Sequence, residues 1–284
     1  MRPLVGGLAA FGATALAKLA LGKLGHERSR FLQRQAHGGR TVSLGEGLVA
    51  AAGTLAGSAV GPHPWAGLLA VGGAAGAGAV DDFCAGKFAE DPKGLRGHLE
   101  AASRGVPTSG NLKLFLICGA SLLSAGALRR PADRPILDWV IRSGLIAASA
   151  NIINLFDLRP GRALKVSSAG ALLAVALPGE RGAGECGVGE RSAALRRTQG
   201  AATLATIAVC APEDLRGSAM LGDTGANALG ASLGFALASL ESRPTRCGIL
   251  AGLVGLTLAS EKVSFTSIIE NNSALRFIDQ LGRR

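Results

Sequence analysis

Residues 46–82 read EGLVAAAGTLAGSAVGPHPWAGLLAVGGAAGAGAVDD. Between Glu46 and Asp81 lie 34 residues without one Asp, Glu, Lys or Arg. A bilayer core takes a helix of ~20 apolar residues, within a range of about 17–25, so this run is too long for a single crossing. Gly61-Pro62-His63-Pro64 interrupts it near the middle, where prolines end helices and turn the chain. The stretch predicts two membrane helices joined by a tight turn, with an acid pair, Asp81-Asp82, at the exit.

The pattern recurs on both sides. Further uncharged runs occupy 3–17, 114–128, 143–156, 166–179, 198–212, 224–240 and 247–260. Together they predict an all-α, polytopic membrane protein of about nine transmembrane helices, eight to ten at the limits, with 198–212 the weakest span. Composition agrees. The 284 residues are 48% apolar and only 18% charged, with 42 glycines and no tyrosine, and the mean hydropathy is +0.33. Such a chain belongs among membrane proteins. Intrinsic disorder is excluded, because it needs low hydrophobicity and high charge. The Gly and Ala content suits helices that touch closely in lipid. Cys84, Cys118, Cys186, Cys210 and Cys247 are odd in number and form no CxxC, so they read as small buried hydrophobes and not as a disulfide framework.

Lys18 stands near the end of the first span, where it can snorkel. Asp138 and Arg142 are four apart in an extension of the 143–156 run and predict a pair along one helix face. No small-residue cleavage site follows the first apolar run, which reads as a retained span. A single transmembrane domain over 1–260 and a cytoplasmic amphipathic tail over 261–284 follow. In the tail, Leu275, Ile278 and Leu281 have the spacing of an interfacial helix.

Alternating the loops across the membrane puts 18 Lys and Arg on one side and 10 on the other. The positive-inside rule then makes the richer side cytoplasmic, with the N-terminus outside and the C-terminus inside. The formal net charge of +10 suits anionic headgroups or phosphate substrates. No basic patch interleaved with aromatics is present, so nucleic acid is not an expected partner.

On that topology three acidic motifs fall on the cytoplasmic side. Asp81-Asp82 ends a span, where two carboxylates repel each other at the negative end of a helix dipole and call for a cation or a proton. Asn151, Asn154 and Asp157 follow one helical stripe into the Pro160-Gly161 turn. Their alternatives are a functional stripe or interhelical hydrogen bonding by the two amides. Asp223, in Met220-Leu221-Gly222-Asp223-Thr224-Gly225, opens a span. There it is either an ordinary N-cap or a Mg2+ ligand beside a phosphate held by the helix N-terminus. The glycines at 72, 73, 76 and 78 lack a preceding strand and do not make a dinucleotide fingerprint. His98 reads as a surface histidine.

Taken jointly, these motifs resemble those of the polyprenyl-phosphate N-acetylhexosamine-1-phosphate transferases. That family includes phospho-MurNAc-pentapeptide translocase and the undecaprenyl-phosphate GlcNAc-1-phosphate transferases. The matching elements are Asp81-Asp82, then Asn151/Asn154/Asp157, then Gly222-Asp223-Thr224-Gly225-Ala226 with Leu229-Gly230, in that order over roughly residues 1–260. Gly38-Gly39-Arg40 stands where the family has a cytoplasmic loop before its second span.

The resemblance implies a multi-pass enzyme of the inner (cytoplasmic) membrane. It would move a sugar-1-phosphate from a UDP-sugar to polyprenyl phosphate, release UMP, and serve peptidoglycan or another surface polymer. It implies Mg2+, with Mn2+ as a substitute. Asp81 or Asp82 would deprotonate or orient the lipid phosphate, and Asp223 would hold the metal. Asp157 and Asn154, with Asn151, would position the nucleotide–metal end, and Lys87 and Lys113 would meet phosphate. Partners would be the lipid phosphate, the UDP-sugar, the membrane and, in a homodimer, a second copy.

The departures from the family are specific. No acid follows Asp82 in Phe83-Cys84-Ala85. Leu158 and Pro160 stand where the family often has a glycine and a second acid. No aromatic precedes Gly222, and no His-rich loop follows the last span. Against the family pattern, the resemblance implies that the metal and lipid-phosphate half is kept and the nucleotide and sugar half is altered or lost. The alternative expectation is a catalytically altered homologue that binds polyprenyl phosphate as a scaffold or regulator of envelope synthesis.

Overall fold

The computed structural model describes residues 2–24, 30–35, 41–84, 97, 100, 103–105, 108–131, 133–177 and 188–283. Among them the chain is all-helical, apart from two three-residue strands. The helices are α1 (Arg2–Gly22), α2 (Gly45–Ala59), α3 (Pro64–Cys84), α4 (Ser109–Gly126), α5 (Pro135–Phe156) and α6 (Arg162–Ala176). They continue as α7 (Val188–Asp214), α8 (Gly222–Ala238), α9 (Arg243–Ser260), α10 (Phe265–Asn271) and α11 (Ser273–Gln280). Each uncharged run coincides with one of α1–α9.

By length and composition, α1 and α5 can cross a membrane alone. The α9–α10 pair, bent by 92°, makes a third crossing if it is one span. The others fall short on one count. The 15 residues of α2 and of α6 reach only about 22 Å at 1.5 Å per residue. The first half of α7 carries Glu190, Arg191, Arg196 and Arg197. The outer faces are apolar all the same. Leu4, Leu8, Phe11, Leu16 and Leu19 of α1, Ile136 and Val140 of α5, and Leu256 and Leu258 of α9 are exposed. Apolar surface on that scale marks a contact with lipid or with another protein.

The short strands β1 (Gln33–Gln35) and β2 (Thr41–Ser43) pair antiparallel. They are a departure from a purely helical expectation. Ser43 also bonds to the segment before α8, giving its N–H to the Ser218 carbonyl and receiving the Met220 N–H. This ties the first loop to the entry of the central helix.

Helix α8 is the axis of the bundle and packs on α5, α3, α2, α7 and α6. Every residue from Thr224 to Ala236 is buried. A helix enclosed on all sides needs small, apolar residues all round, and its sequence, GDTGANALGASLGFALA, supplies them. Gly78 of α3 lies against its first turn. A Cβ there would fall inside the van der Waals envelope of the Asp223 carbonyl and 2.5 Å from the Thr224 nitrogen. Gly78→Val is therefore expected to lower stability by about 1–3 kcal/mol. Denaturant unfolding in detergent checks this, and an unchanged midpoint would mean that α3 and α8 do not pack this closely.

The end of the bundle remote from Asp81 and Asp223 is held by buried charges. Asp138 accepts from Arg243 Nε at 2.9 Å and Nη2 at 2.7 Å, and from Arg246. Arg142 pairs with Asp133 at 2.9 Å. The expected Asp138–Arg142 pair is not formed. Asp138 turns instead to the arginines of the neighbouring helix α9, which surround it. Arginines at this end also cap helix C-termini, because Arg142 donates to the Leu128 carbonyl, Arg246 to Leu240 and Arg130 to Ser239. Cations belong at that negative pole.

Of the cysteines, Cys210 is buried, Cys84 and Cys118 are half-buried, and Cys247 is exposed, against expectation. Cys186 lies outside the described residues.

The tail does not hang free. Phe265 stacks on Phe156 at 5.2 Å, and Asp279 accepts from Arg162 at 2.9 and 3.2 Å and from Arg283 at 2.9 Å. Leu275, Phe277, Ile278 and Leu281 remain exposed, as an interfacial helix requires. Burial raises the pKa of Asp279, but the Arg162 guanidinium, with Arg283 and Lys165, outweighs it and leaves the carboxyl below its ordinary value. A depressed carboxylate contributes stability above its unfolded pKa and loses it as pH falls through the folded one. Tail docking is thus expected to be full at neutral pH and to fail below about pH 4. Hydrogen exchange at residues 273–280 should rise there, well before global unfolding; no change would place the tail's anchor elsewhere.

Candidate functional site

The last turn of α3 presents Asp81 and Asp82 to the first turn of α8 and the first turns of α4. The two acids have different surroundings. Asp82 Oδ1 accepts the Asp223 N–H at 3.1 Å, and Oδ2 accepts the Thr224 N–H at 2.8 Å and its hydroxyl at 2.7 Å. Its side chain is 3% exposed, with Arg34 at 3.8 Å. Asp82 is therefore the cap of α8, reaching across from another helix to satisfy orphan N–H groups. Gly222 enters that turn at φ 57°, in the left-handed region, where a Cβ would lie 3.0 Å from both Asp82 carboxylate oxygens. Of the two readings of Asp223, the N-cap is not the one formed: Leu221 holds that position and makes no side-chain cap bond. Asp223 is released from that duty, and its carboxylate turns into the cluster.

Asp81 faces the other way. It accepts from Ser109 Oγ at 2.7 Å and lies 3.5 Å from Lys113 Nζ. Lys113 also pairs closely with Asp223. Asn154, with its amide oriented to satisfy both atoms, donates to Asp223 Oδ1 at 2.9 Å and accepts from Lys113 at 3.0 Å. Asp81, Asn154 and Asp223, from three distant segments, thus meet around one ammonium. Their side chains are neither sealed nor free: Asp81 is 28% exposed, Asp223 25% and Lys113 17%.

Asp157 ends α5 in the turn below. Gly161 takes φ 75° there, and its N–H is accepted by Asp214, which locks the turn. Burial, with the carboxylates of Asp214, Asp223, Glu46 and Asp82, pushes Asp157 well above the ordinary carboxylate range. An acid raised by its neighbours is relieved by a cation.

Asn151 does not join the cluster. Its amide donates to Thr257 Oγ1 of α9 at 3.2 Å, the interhelical alternative. Three residues advance a helix by about 300°, so each step of three falls back about 60°. The stripe from Asp157 through Asn154 has therefore turned toward α9 by Asn151. Lys87, Gly38-Gly39-Arg40 and His98 lie outside the described residues. Ser109 was missed in the sequence, although it stands four before Lys113 and so on the same helix face. The capping role of Asp82 had no local signal.

Mg2+ handled with phosphates needs only one or two carboxylates, with phosphate oxygens and waters completing its shell. Asp223, with Asp81 across the shared Lys113 ammonium, fits that demand; Asp157 bears on it only electrostatically, and Asp82, whose oxygens are engaged, does not fit. Among the described residues, no group of three or more His, Cys, Asp or Glu is arranged to hold a metal unaided. The cluster can offer a base and an ammonium to an anionic substrate, and a carboxylate pair to a cation that travels with it. The chain matches no protein-family model and no curated protein.

Proposed function

We propose that the chain is a polytopic phosphoglycosyl transferase of the cytoplasmic membrane. It moves a sugar-1-phosphate from a UDP-sugar to polyprenyl phosphate at the inner face and releases UMP, for cell-wall or surface-polymer assembly. The nine-helix topology with the N-terminus outside belongs to the same proposal. One observation carries it: Asp81, Asn154 and Asp223, the three motifs of the resemblance, gather around Lys113 at one end of the bundle.

Their different surroundings support different roles for the tandem acids. Asp81 is assigned as the base, since its carboxylate is partly exposed and, unlike that of Asp82, does not cap a helix; Lys113 keeps it ionised and able to accept a proton. Asp82 positions Asp223 by capping α8. Asp81 takes the proton of the lipid phosphate, whose oxygen attacks the sugar-bearing phosphorus. The bond from that phosphorus to the bridging oxygen breaks, and its electron pair leaves with UMP. Lys113 balances charge on the phosphoryl oxygens. Asp223, with Asp157 acting only through its charge, would hold Mg2+ against the diphosphate, where the ion supplies charge stabilisation. Asn154 orients Asp223 and Lys113.

The other reading is a homologue that binds polyprenyl phosphate without turnover. What favours it is the Lys113 ammonium already filling the space between Asp81 and Asp223. Purified protein with undecaprenyl phosphate, Mg2+ and a panel of UDP-sugars decides between them. UMP release that Asp223→Asn abolishes supports the transferase. Lipid-phosphate binding with no UMP from any sugar supports the alternative.

A further inference from the structure

Behind the α8 entry lies a cavity of about 190 Å³, formed between α1, α2 and the end of α7. Glu46 lines it. That residue is only 6% exposed, and neither of its carboxyl oxygens has a hydrogen-bond partner. A buried carboxyl left without a partner is costly, and such orphans call for a ligand or bound ion. The cation that lines the same cavity does not serve it: Lys18 gives its ammonium to Glu213 at 3.1 Å and to the Val209 carbonyl at 3.0 Å. The remaining wall is mostly apolar, with Leu21 and Val49, and Ser43 adds one hydroxyl. The cavity thus presents one unmet acid, needing N–H donors and positive charge, above a greasy floor.

We infer that this cavity is a second ligand site, which takes a primary ammonium group against the Glu46 carboxylate, with a short methylene body on Leu21 and Val49. A metal ion is the poorer occupant, since among the described residues three metal-ligating side chains do not converge there. The volume admits a headgroup-sized amine and little more. The ammonium can come from a soluble amine or from an aminophospholipid whose headgroup enters at the membrane surface. Glu46 bears electrostatically on Asp157 but makes no hydrogen bond to the cluster, and the test below reads amine binding and not turnover, so this inference and the transferase proposal fail separately.

The experiment uses the full chain. Ethanolamine is titrated calorimetrically into detergent-solubilised protein, with choline, which has no N–H to donate, as the comparison. In parallel, melting is followed in phosphatidylcholine nanodiscs with and without phosphatidylethanolamine. Wild type is expected to bind ethanolamine, or to melt higher with phosphatidylethanolamine, and not to respond to choline. Glu46→Gln is expected to weaken the response at least about tenfold, the loss typical of a charge-assisted hydrogen bond. A response to ethanolamine alone assigns a soluble amine, and one to phosphatidylethanolamine alone assigns the lipid. Glu213→Gln, at a half-exposed residue, frees Lys18 to occupy Glu46 and should weaken binding too. No response in either arm overturns the site. So does a Glu46→Gln response equal to wild type or, should that variant not fold, a Glu213→Gln response equal to wild type.

Discussion

Asp81→Asn is expected to lower UMP release by about 100- to 10,000-fold, the usual contribution of a positioned general base, with little change in melting. Asn keeps the shape and can still accept from Ser109, so the fold loses little. It cannot take a proton from a phosphate. Asp82 should behave in the opposite way. Asp82→Ala removes the acceptor for two backbone N–H groups and the Thr224 hydroxyl, leaving buried donors at a cost of about 1–3 kcal/mol. Its melting point should fall, and activity should fall with it because Asp223 stands in the uncapped turn. Parallel measurement of melting and single-turnover rate separates the two residues. If Asp81→Asn melts early and keeps its rate while Asp82→Ala does the reverse, the roles are exchanged.

Asp138→Ala is expected to be the most destabilising single change, by about 3–5 kcal/mol, because removing one partner strands buried charge. Asp138 receives Arg243 and Arg246, and both Asp138 and Arg246 are 1% exposed. Arg246 also closes α8 by donating to the Leu240 carbonyl. Loss of Asp138 therefore loosens α5, α8 and α9 together. The double variant Asp138→Leu/Arg246→Met should recover much of the loss, since an apolar pair of similar volume can replace a buried ion pair. Chemical denaturation of the three proteins in one detergent checks this. A single variant as stable as wild type would mean that the arginines find other anions.

The helices were legible because each rests on a local property. Runs without charge mark α1 to α9, and the Pro-rich break at 61–64 separates α2 from α3. The gathering of Asp81, Asn154 and Asp223 was expected only through the resemblance of their motifs. Nothing local in 81–82 distinguishes the two acids, because the difference is made by α8, some 140 residues away. Asn151 shows the converse. Its spacing suggested membership of the stripe, but the drift of a 3.6-residue helix sends it to Thr257. The Asp138–Arg142 pair failed for a similar reason: spacing along one helix permits a contact, and neighbouring helices decide whether it forms.

By itself the sequence determined an all-helical, lipid-compatible chain with its acids at helix ends, because hydropathy and charge act residue by residue along the chain. Only the tertiary structure decided that one aspartate caps a helix while its neighbour meets a lysine, and that Glu46 is left unpartnered beside a cavity. Partners of that kind are set by which helices touch, and the small residues that let α8 sit at the centre carry no mark of what they will touch.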